Sequence, residues 1–583
     1  MKKIFTLFIM SLLFMVGMAQ QPVLEWAKNY GGYSRDMAFS VAVDNNGNVY
    51  SAGFIMDTAD FKIGSENIRI ATDGGSADII VTKQDAQGNF IWAKSMGGSA
   101  GEQAFSCKAD ASGNVYVTGT FMETVDFDPG TGVSELTSLG GHDIFILKLN
   151  TDGDFVWAKQ VGGKGDADYG QYLALDPADG SIYITGMFQD AIDFNPGTGV
   201  FNLYPNYPGD YDTYVLKLDK DGNFVWAISF IGDQFDTGTS LAADGQGNLF
   251  VCGVFGGKCD FDPGIGEHII DSYSYGYADG FVCKLNAANG SLVWVIQEGN
   301  EGQDWCNGIA VDPSGNVLVT GSFLLDVDFD PGLNDLILSS QQMDAFVWKL
   351  DTDGKLVWAK NFTGSDFGWG SSIAVDASGN VYTTGYFIAT CDFDPGEGVH
   401  NITAGAQWET YISKLTSQGD FAWAMAFKGN VYYDLNVDKG ESIAVDAQNN
   451  VYTSGSFESW VDVDPSSKIF YITAHHVPRT SFYSEDAFVH KLSQLNVGLP
   501  EQADVKAFKL YPNPVKDVAT IDLGSEYSYI EANVIDVAGK TLITKTFSAT
   551  SSIQVTMDIA KGIYFLQLRD KNGVIANLKV VKE

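Results

Sequence analysis

The chain has 583 residues, 65 of them glycine and 13% aromatic, with 73 Asp/Glu against 35 Lys/Arg for a formal net charge of −38. The first residues carry two lysines and the tail from Phe508 nine Lys/Arg against eight Asp/Glu, which leaves −41 on the span between them. A surface that acidic repels phosphate backbones and anionic bilayers, so it excludes nucleic acid and membrane surfaces as main partners and favours cationic ligands.

In chain order, residues 1–19 open with Lys2 and Lys3, continue as an apolar run from Ile4 to Met18, and end in Gly17-Met18-Ala19. That is the pattern of a secretory signal peptide, too short for a membrane span and closed by small residues at a cleavage site. No later stretch reaches about 18 uninterrupted apolar residues, so no transmembrane segment is expected. No cysteine follows the cleavage point, which argues against a lipid anchor. Cys107, Cys252, Cys283 and Cys391 stand where sibling repeats carry strand residues, which reads as buried free thiols. A bridge from Cys252 to Cys259 or Cys283 is the alternative.

A tryptophan followed by alanine or valine recurs at Trp26, Trp92, Trp157, Trp226, Trp294, Trp358 and Trp423, 64 to 69 residues apart. Each interval reads as four strands, a to d, rich in β-branched and aromatic residues and punctuated by Asp, Gly and Asn. Strand a (Ser372 to Asp376) turns into strand b (Val381 to Gly385). After an excursion come strand c (Asp344 to Leu350 in the preceding repeat) and strand d (Leu356 to Ala359). Seven b strands carry Gly53, Gly119, Gly186, Gly253, Gly321, Gly385 and Gly455, and seven c strands carry lysine at 83, 148, 217, 284, 349, 414 and 491. The array starts on a lone d strand (Leu24 to Ala27) and ends on a lone c strand (Ala487 to Leu492). The first strand therefore completes the last repeat, which protects an edge that would otherwise aggregate. The expected fold is all-β: a seven-bladed β-propeller over 20–495 closed by its N-terminal strand, a linker over 496–507, and a small Ig-like β-sandwich over 508–583.

The stretches Ile373 to Gly385 and Ile309 to Gly321 resemble a bacterial β-propeller repeat family with the signature Ile-Ala-Val-Asp-x-x-Gly-Asn-Val-Tyr-x-x-Gly. The resemblance implies a propeller outside the cytoplasm and no single chemistry. The tail carries Tyr511-Pro512-Asn513-Pro514, then Gly539-Lys540, then Gly562 and Tyr564 in a Gly-Ile-Tyr-Phe-Leu run. In order and spacing it resembles the C-terminal sorting domain of the type IX secretion system of Bacteroidetes. That resemblance implies passage through the periplasm, translocation by the type IX machinery, and release or attachment at the outer surface.

Two acidic series recur on the face shared by the d–a and b–c loops. Asp36, Glu102, Asp168, Asp236, Asp304 and Asp438 each stand eight residues before the aspartate that ends strand a, with Gly368 in the sixth repeat. Strand a being innermost, these are expected near the mouth of a central channel, as ligands for a cation or as caps of their own turns. The second series is Asp-Phe-Asp-Pro-Gly: Asp126 and Asp128, Asp260 and Asp262, Asp328 and Asp330, Asp392 and Asp394. Two carboxylates on one turn are candidate calcium ligands, although the full twelve-residue calcium loop is missing. No nucleophile elbow, zinc-protease or phosphate-loop motif is present, and no catalytic residue is assigned. The singular features are His475-His476 with Arg479, tyrosines near 204–211 and 273–277, and Trp305, Trp369 and Trp408 in or near loops of that face. The expected function is a secreted or surface binding module for glycan or protein. The alternative is a glycan-active lyase or hydrolase that uses channel-mouth carboxylates.

Overall fold

The structure is a computed structural model and describes residues 22–72, 76–207, 209–273, 276–330, 332, 334–405, 408–429, 437–475, 484–494, 509–511, 514–536, 541–570 and 573–582. The expected signal peptide and linker lie outside these residues, as do Tyr275, His476, Arg479, Pro512, Asn513, Gly539 and Lys540. Among the described residues every regular element is a strand. The chain divides into two compact units, Met1–Leu495 and Asn496–Glu583.

The first unit is built from four-stranded antiparallel meanders in the order a-b-c-d, of which Met37–Val43, Val49–Met56, Ala77–Gln84 and Phe90–Met96 are the first. In the seventh, Lys439–Val445, Val451–Glu458 and Glu485–Gln494 receive Pro22–Tyr30 as their fourth strand. The register of that last pairing runs from Pro22↔Gln494 to Tyr30↔Ala487, with Trp26 opposite Lys491. Strand a of each repeat packs against strand a of the next, and that of the seventh against that of the first.

One clamp joins successive repeats, and the two most regular marks in the sequence make it. In five repeats the strand c lysine and the strand d tryptophan both donate to a single carbonyl in the c–d turn of the next. Lys83 Nζ and the Trp92 indole reach Thr151 O at 2.8 and 3.2 Å. Lys217 and Trp226 reach Ala287 O at 2.9 and 3.3 Å. Lys284 and Trp294 reach Thr352 O at 3.0 and 3.2 Å, and Lys349 and Trp358 reach Ser417 O, both at 3.2 Å. At the seam Trp26 and Lys491 reach Ala86 O of the first repeat, both at 3.1 Å. The seventh repeat thus grips the first as the first, third, fourth and fifth grip their neighbours. In the sixth, Lys414 Nζ donates instead to Gln494 Oε1, because strand c of the seventh repeat is not continued into its own d strand. Six of the seven lysine ammonium groups also lie over strand b rings, as Lys83 does over Tyr50 at 5.2 Å, while Lys349 lies over Trp358 of strand d, so the charge is partnered.

The excursion between b and c folds back on the preceding repeat. Its first aspartate pairs with the end of the previous strand d, as in Gly162↔Asp193, Ile231↔Asp260 and Thr363↔Asp392. The phenylalanine between the two acids is fully buried at Phe127, Phe261, Phe329 and Phe393, as is Phe194 between Asp193 and Asn195. All six cysteines are buried and free, and burial pushes the Cys107 thiol up to about 11.

The second unit holds two sheets, one of Lys509–Tyr511, Val518–Tyr527 and Thr550–Thr556, the other of Thr541–Phe547, Ile530–Asp536, Gly562–Asp570 and Gly573–Lys582. They share one apolar core that includes Ile521, Val534, Val555, Leu566 and Val580. Tyr564 is buried in it and donates its hydroxyl to Ala560 O at 2.9 Å, whereas Tyr511 and Pro514 are exposed.

Candidate functional site

Strand a of every repeat carries a β-bulge at the same place, between Ala38 and Ser40, Ala104 and Ser106, Gly170 and Tyr172, Gly238 and Ser240, Cys306 and Gly308, Gly370 and Ser372, and Gly440 and Ser442. A bulge re-aims one side chain and steepens the local twist. The seven repeating glycines of strand b make it feasible. A Cβ at Gly53, Gly119, Gly186, Gly253, Gly321, Gly385 or Gly455 would lie well under 3 Å from the carbonyl oxygen of the residue two before the bulged one. The re-aimed residues, Phe39, Phe105, Gln171, Thr239, Asn307, Ser371 and Glu441, line a cavity of about 400 Å³ to which all seven repeats contribute.

The carboxylates expected at the channel mouth are inside the wall instead. Asp36, Glu102, Asp168, Asp236, Asp304 and Asp438 are all 0% exposed and absent from the cavity lining. Asp36 accepts the amides of Gly32 and Met56 at 2.8 and 2.9 Å, and Asp304 those of Asn300 and Leu324 at 2.9 and 3.0 Å. Each ties the loop entering strand a to the end of strand b. A second buried series stands five residues before the repeated lysine and escapes sequence reasoning: Asp78, Asp143, Asp212, Asp279, Asp344, Glu409 and Asp486. Asp212 takes the amides of Gly232 and Asn206 at 2.9 and 3.0 Å, and Glu409 those of Gly405 and Gly429 at 2.7 and 3.1 Å. Constant spacing from the lysine was the available signal.

Burial holds six of these carboxyls well above the ordinary carboxylate range. It raises Asp36 to about 8, Asp168 and Asp304 to about 7, and Asp212, Asp279 and Asp344 to about 6. Between about pH 4 and pH 8 the folded protein therefore holds protons that the unfolded chain has lost, so stability falls as pH rises through that window. Self-repulsion at net charge −38 acts in the same direction. The thermal midpoint is expected to be higher at pH 5 than at pH 8.5, and a midpoint that climbs with pH would refute this balance.

In the Asp-Phe-Asp-Pro-Gly turns the first carboxylate is committed to backbone amides. Asp126 Oδ1 accepts from Asp128 and Ser134 at 3.0 and 2.8 Å, Asp260 from Asp262 and His268 at 3.0 and 2.8 Å, Asp328 from Asp330 and Leu336 at 3.0 and 2.9 Å, and Asp392 from Asp394 and His400 at 3.0 and 2.7 Å. The second carboxylate caps the turn, as Asp128 does with the Gly130 amide at 2.8 Å and Asp394 with that of Gly396 at 2.9 Å. Among the described residues no three His, Cys, Asp or Glu side chains converge as a cation site.

The loop face is asymmetric in its aromatics. Two residues before the bulge, the fifth and sixth repeats carry Trp305 and Trp369 where the others carry Met37, Gln103, Tyr169, Thr237 and Lys439. The two indoles lie 5.7 Å apart. Phe367, Trp369 and Tyr386 form a triangle of near-parallel rings with centroids 5.9 to 6.3 Å apart and interplanar angles of 5° to 12°. Trp408 abuts Phe367 and Tyr386 at 4.9 and 5.1 Å. All five rings are half-buried. Elsewhere, Tyr204, Tyr207, Tyr273 and Tyr277 are exposed, and His475 is held by Asp486 at 2.8 Å, a bond that raises its pKa.

Comparison with known proteins bears on this architecture. Residues 509–583 match the secretion system C-terminal sorting domain, and residues 293–322 match the β-propeller repeat family. An uncharacterized WD repeat-containing protein, L264, of Acanthamoeba polyphaga mimivirus is 23% identical over 65% of this chain and 32% of its own length. The regulatory protein FlaEY of Caulobacter vibrioides is 23% identical over 68% of this chain and 42% of its own. The chain thus spans less than half the length of either relative. The quinohemoprotein alcohol dehydrogenase of Comamonas testosteroni, a solved structure, is 10% identical over 85% of this chain and 79% of that one, with a TM-score of 0.37. Among the described residues no helix is long and apolar enough to cross a membrane. The chain accordingly carries a β-propeller repeat and a type IX sorting domain, the two families its sequence signatures resemble, and the second marks it for export to the cell surface or beyond.

Proposed function

We propose that the exported chain is a seven-bladed β-propeller, closed by Pro22–Tyr30, that binds a glycan on its d–a and b–c loop face. The observation that carries the reading is the half-buried ring cluster of Trp305, Phe367, Trp369, Tyr386 and Trp408, contributed by two adjacent repeats. Clustered, half-buried aromatic rings offer apolar surface against which the C–H face of a sugar packs, and neighbouring polar groups orient it. Glycan is preferred to protein as the ligand because the platform is set among polar loops and its rings are only half-exposed. Binding without turnover is preferred because the repeated acids are occupied in holding backbone amides. Residues 20–495, labelled and applied to a glycan array, should retain a discrete set of polysaccharides. Trp369→Ala combined with Trp305→Ala should weaken retention at least about tenfold, the equivalent of about 1.4 kcal/mol. Retention that is unchanged in the double variant would sink the platform, and new reducing ends in the eluate would replace binding with hydrolysis.

A further inference from the structure

The cavity supports a second site, chemically distinct from the aromatic platform. At the bulge position the seventh, first and second repeats follow one another around the ring, so Glu441, Phe39 and Phe105 are consecutive on the cavity wall. Phe39 and Phe105 lie 5.4 Å apart, and Tyr169 adjoins Phe105 at 6.3 Å, which extends the aromatic wall. The remaining re-aimed positions are uncharged, so Glu441 is the single acid of the lining. Among the described residues its carboxylate makes no hydrogen bond or ion pair. Two cations stand close enough to act on Glu441 through their charge, but neither binds it directly: Lys439 lies over the Tyr386 ring at 5.4 Å, and Arg35 binds Glu485 at 2.6 Å. Two aromatic rings close to this wall, Tyr172 in the lining and Phe54 behind Phe39, already take protein cations. The Arg35 guanidinium lies 6.0 Å from the Phe54 ring and the Lys108 ammonium 4.7 Å from that of Tyr172, whereas no protein cation among the described residues covers Phe39 or Phe105.

We infer that the cavity binds a small organic cation, an alkylated ammonium group seated against Phe39 and Phe105 with Glu441 as its counter-ion. An aromatic face attracts such a group through its quadrupole, and desolvation in a cavity strengthens the attraction. A carboxylate at the same level adds a charge that a neutral ligand of the same shape cannot use. The net charge of −38 raises the local concentration of cations at the entrance. A cavity of about 400 Å³ holds a group of that size together with water.

The test is calorimetric titration of residues 20–495 with choline and with 3,3-dimethylbutan-1-ol, its uncharged isostere. Choline should bind, the isostere should bind at least about tenfold more weakly, and Glu441→Gln should weaken choline by a similar factor. Phe39→Leu should weaken choline several-fold while the melting midpoint of each variant stays within about two degrees of the parent. Equal affinity for the isostere, undiminished binding by Glu441→Gln, or no heat from choline at about 10 mM would overturn the proposal. Because Trp305 and Trp369 do not line this cavity, the double tryptophan variant should still bind choline, which separates failure of this site from failure of the glycan platform.

Discussion

Replacing Gly385 with alanine is expected to destabilise the first unit by about 4 kcal/mol or more, an effect reserved for backbone collisions and buried cavities. The added methyl would fall well inside contact distance of the Trp369 carbonyl oxygen and carbon, and within about 3 Å of the Tyr411 ring. None of these atoms belongs to a flexible side-chain end. The bulge at Gly370/Ser372 would have to open, and with it the register of strands a and b from Gly368↔Phe387 to Val375↔Val381. Trp369 and Tyr386 flank the collision, so the aromatic platform should be lost together with stability. Gly101→Ala is the matching control, because an added Cβ there meets nothing within 4 Å, and its change should stay within about 0.5 kcal/mol. Urea denaturation of the two variants measures the contrast. Equal midpoints would mean that the b-strand glycines are not what makes room for the bulges.

Much of the fold is written locally and is legible in the sequence. The alternation in Ser372 to Asp376 and Val381 to Gly385, the Asp-Gly turns and the tryptophan spacing all act through near neighbours. What was not legible depends on one-residue geometry or on distant partners. Side chains alternate along a strand, so where strand a faces the cavity is decided by its bulge, and a bulge leaves no distinct mark in composition. Asp36 was therefore placed on the channel although its carboxyl is in the wall, and Phe39 and Glu441, which do line the cavity, drew no attention. Acids are ordinarily exposed, which concealed the series from Asp78 to Asp486 as plain strand-entry residues. The lysine and tryptophan of each repeat were visible as marks, but their shared acceptor, such as Thr151 O for Lys83 and Trp92, stands about 60 to 70 residues away. The platform was half-legible: Trp305, Trp369 and Trp408 stood out as singular, while their convergence with Phe367 and Tyr386 required the packing of neighbouring strands.

In the proposed ring the cavity, the platform and the clamps all depend on closure by Pro22–Tyr30, so removing that strand is the second change of large expected effect. It exposes the edge of Glu485–Gln494, breaks the Trp26 and Lys491 clamp on Ala86 O, and uncovers Phe488 and Leu492, which pack with Ala27, together with Val489, Phe61 and Phe90, which pack with Tyr30. Trp26, Ala27 and Tyr30 are all buried, and full burial of a large apolar side chain contributes about 1.5 to 3 kcal/mol. An open, unpaired edge is also a template for association between copies. The decisive measurement compares the size-exclusion profile and melting curve of residues 20–495, of residues 31–495, and of residues 31–494 with residues 22–30 attached after Gln494 through a short Asp-Gly turn. The ring predicts that the shortened chain aggregates or loses its cooperative transition, and that the relocated strand restores a monomer melting within a few degrees of the parent. A shortened chain that remains monomeric with an unchanged midpoint, or a relocated strand that restores nothing, would contradict closure by the first strand.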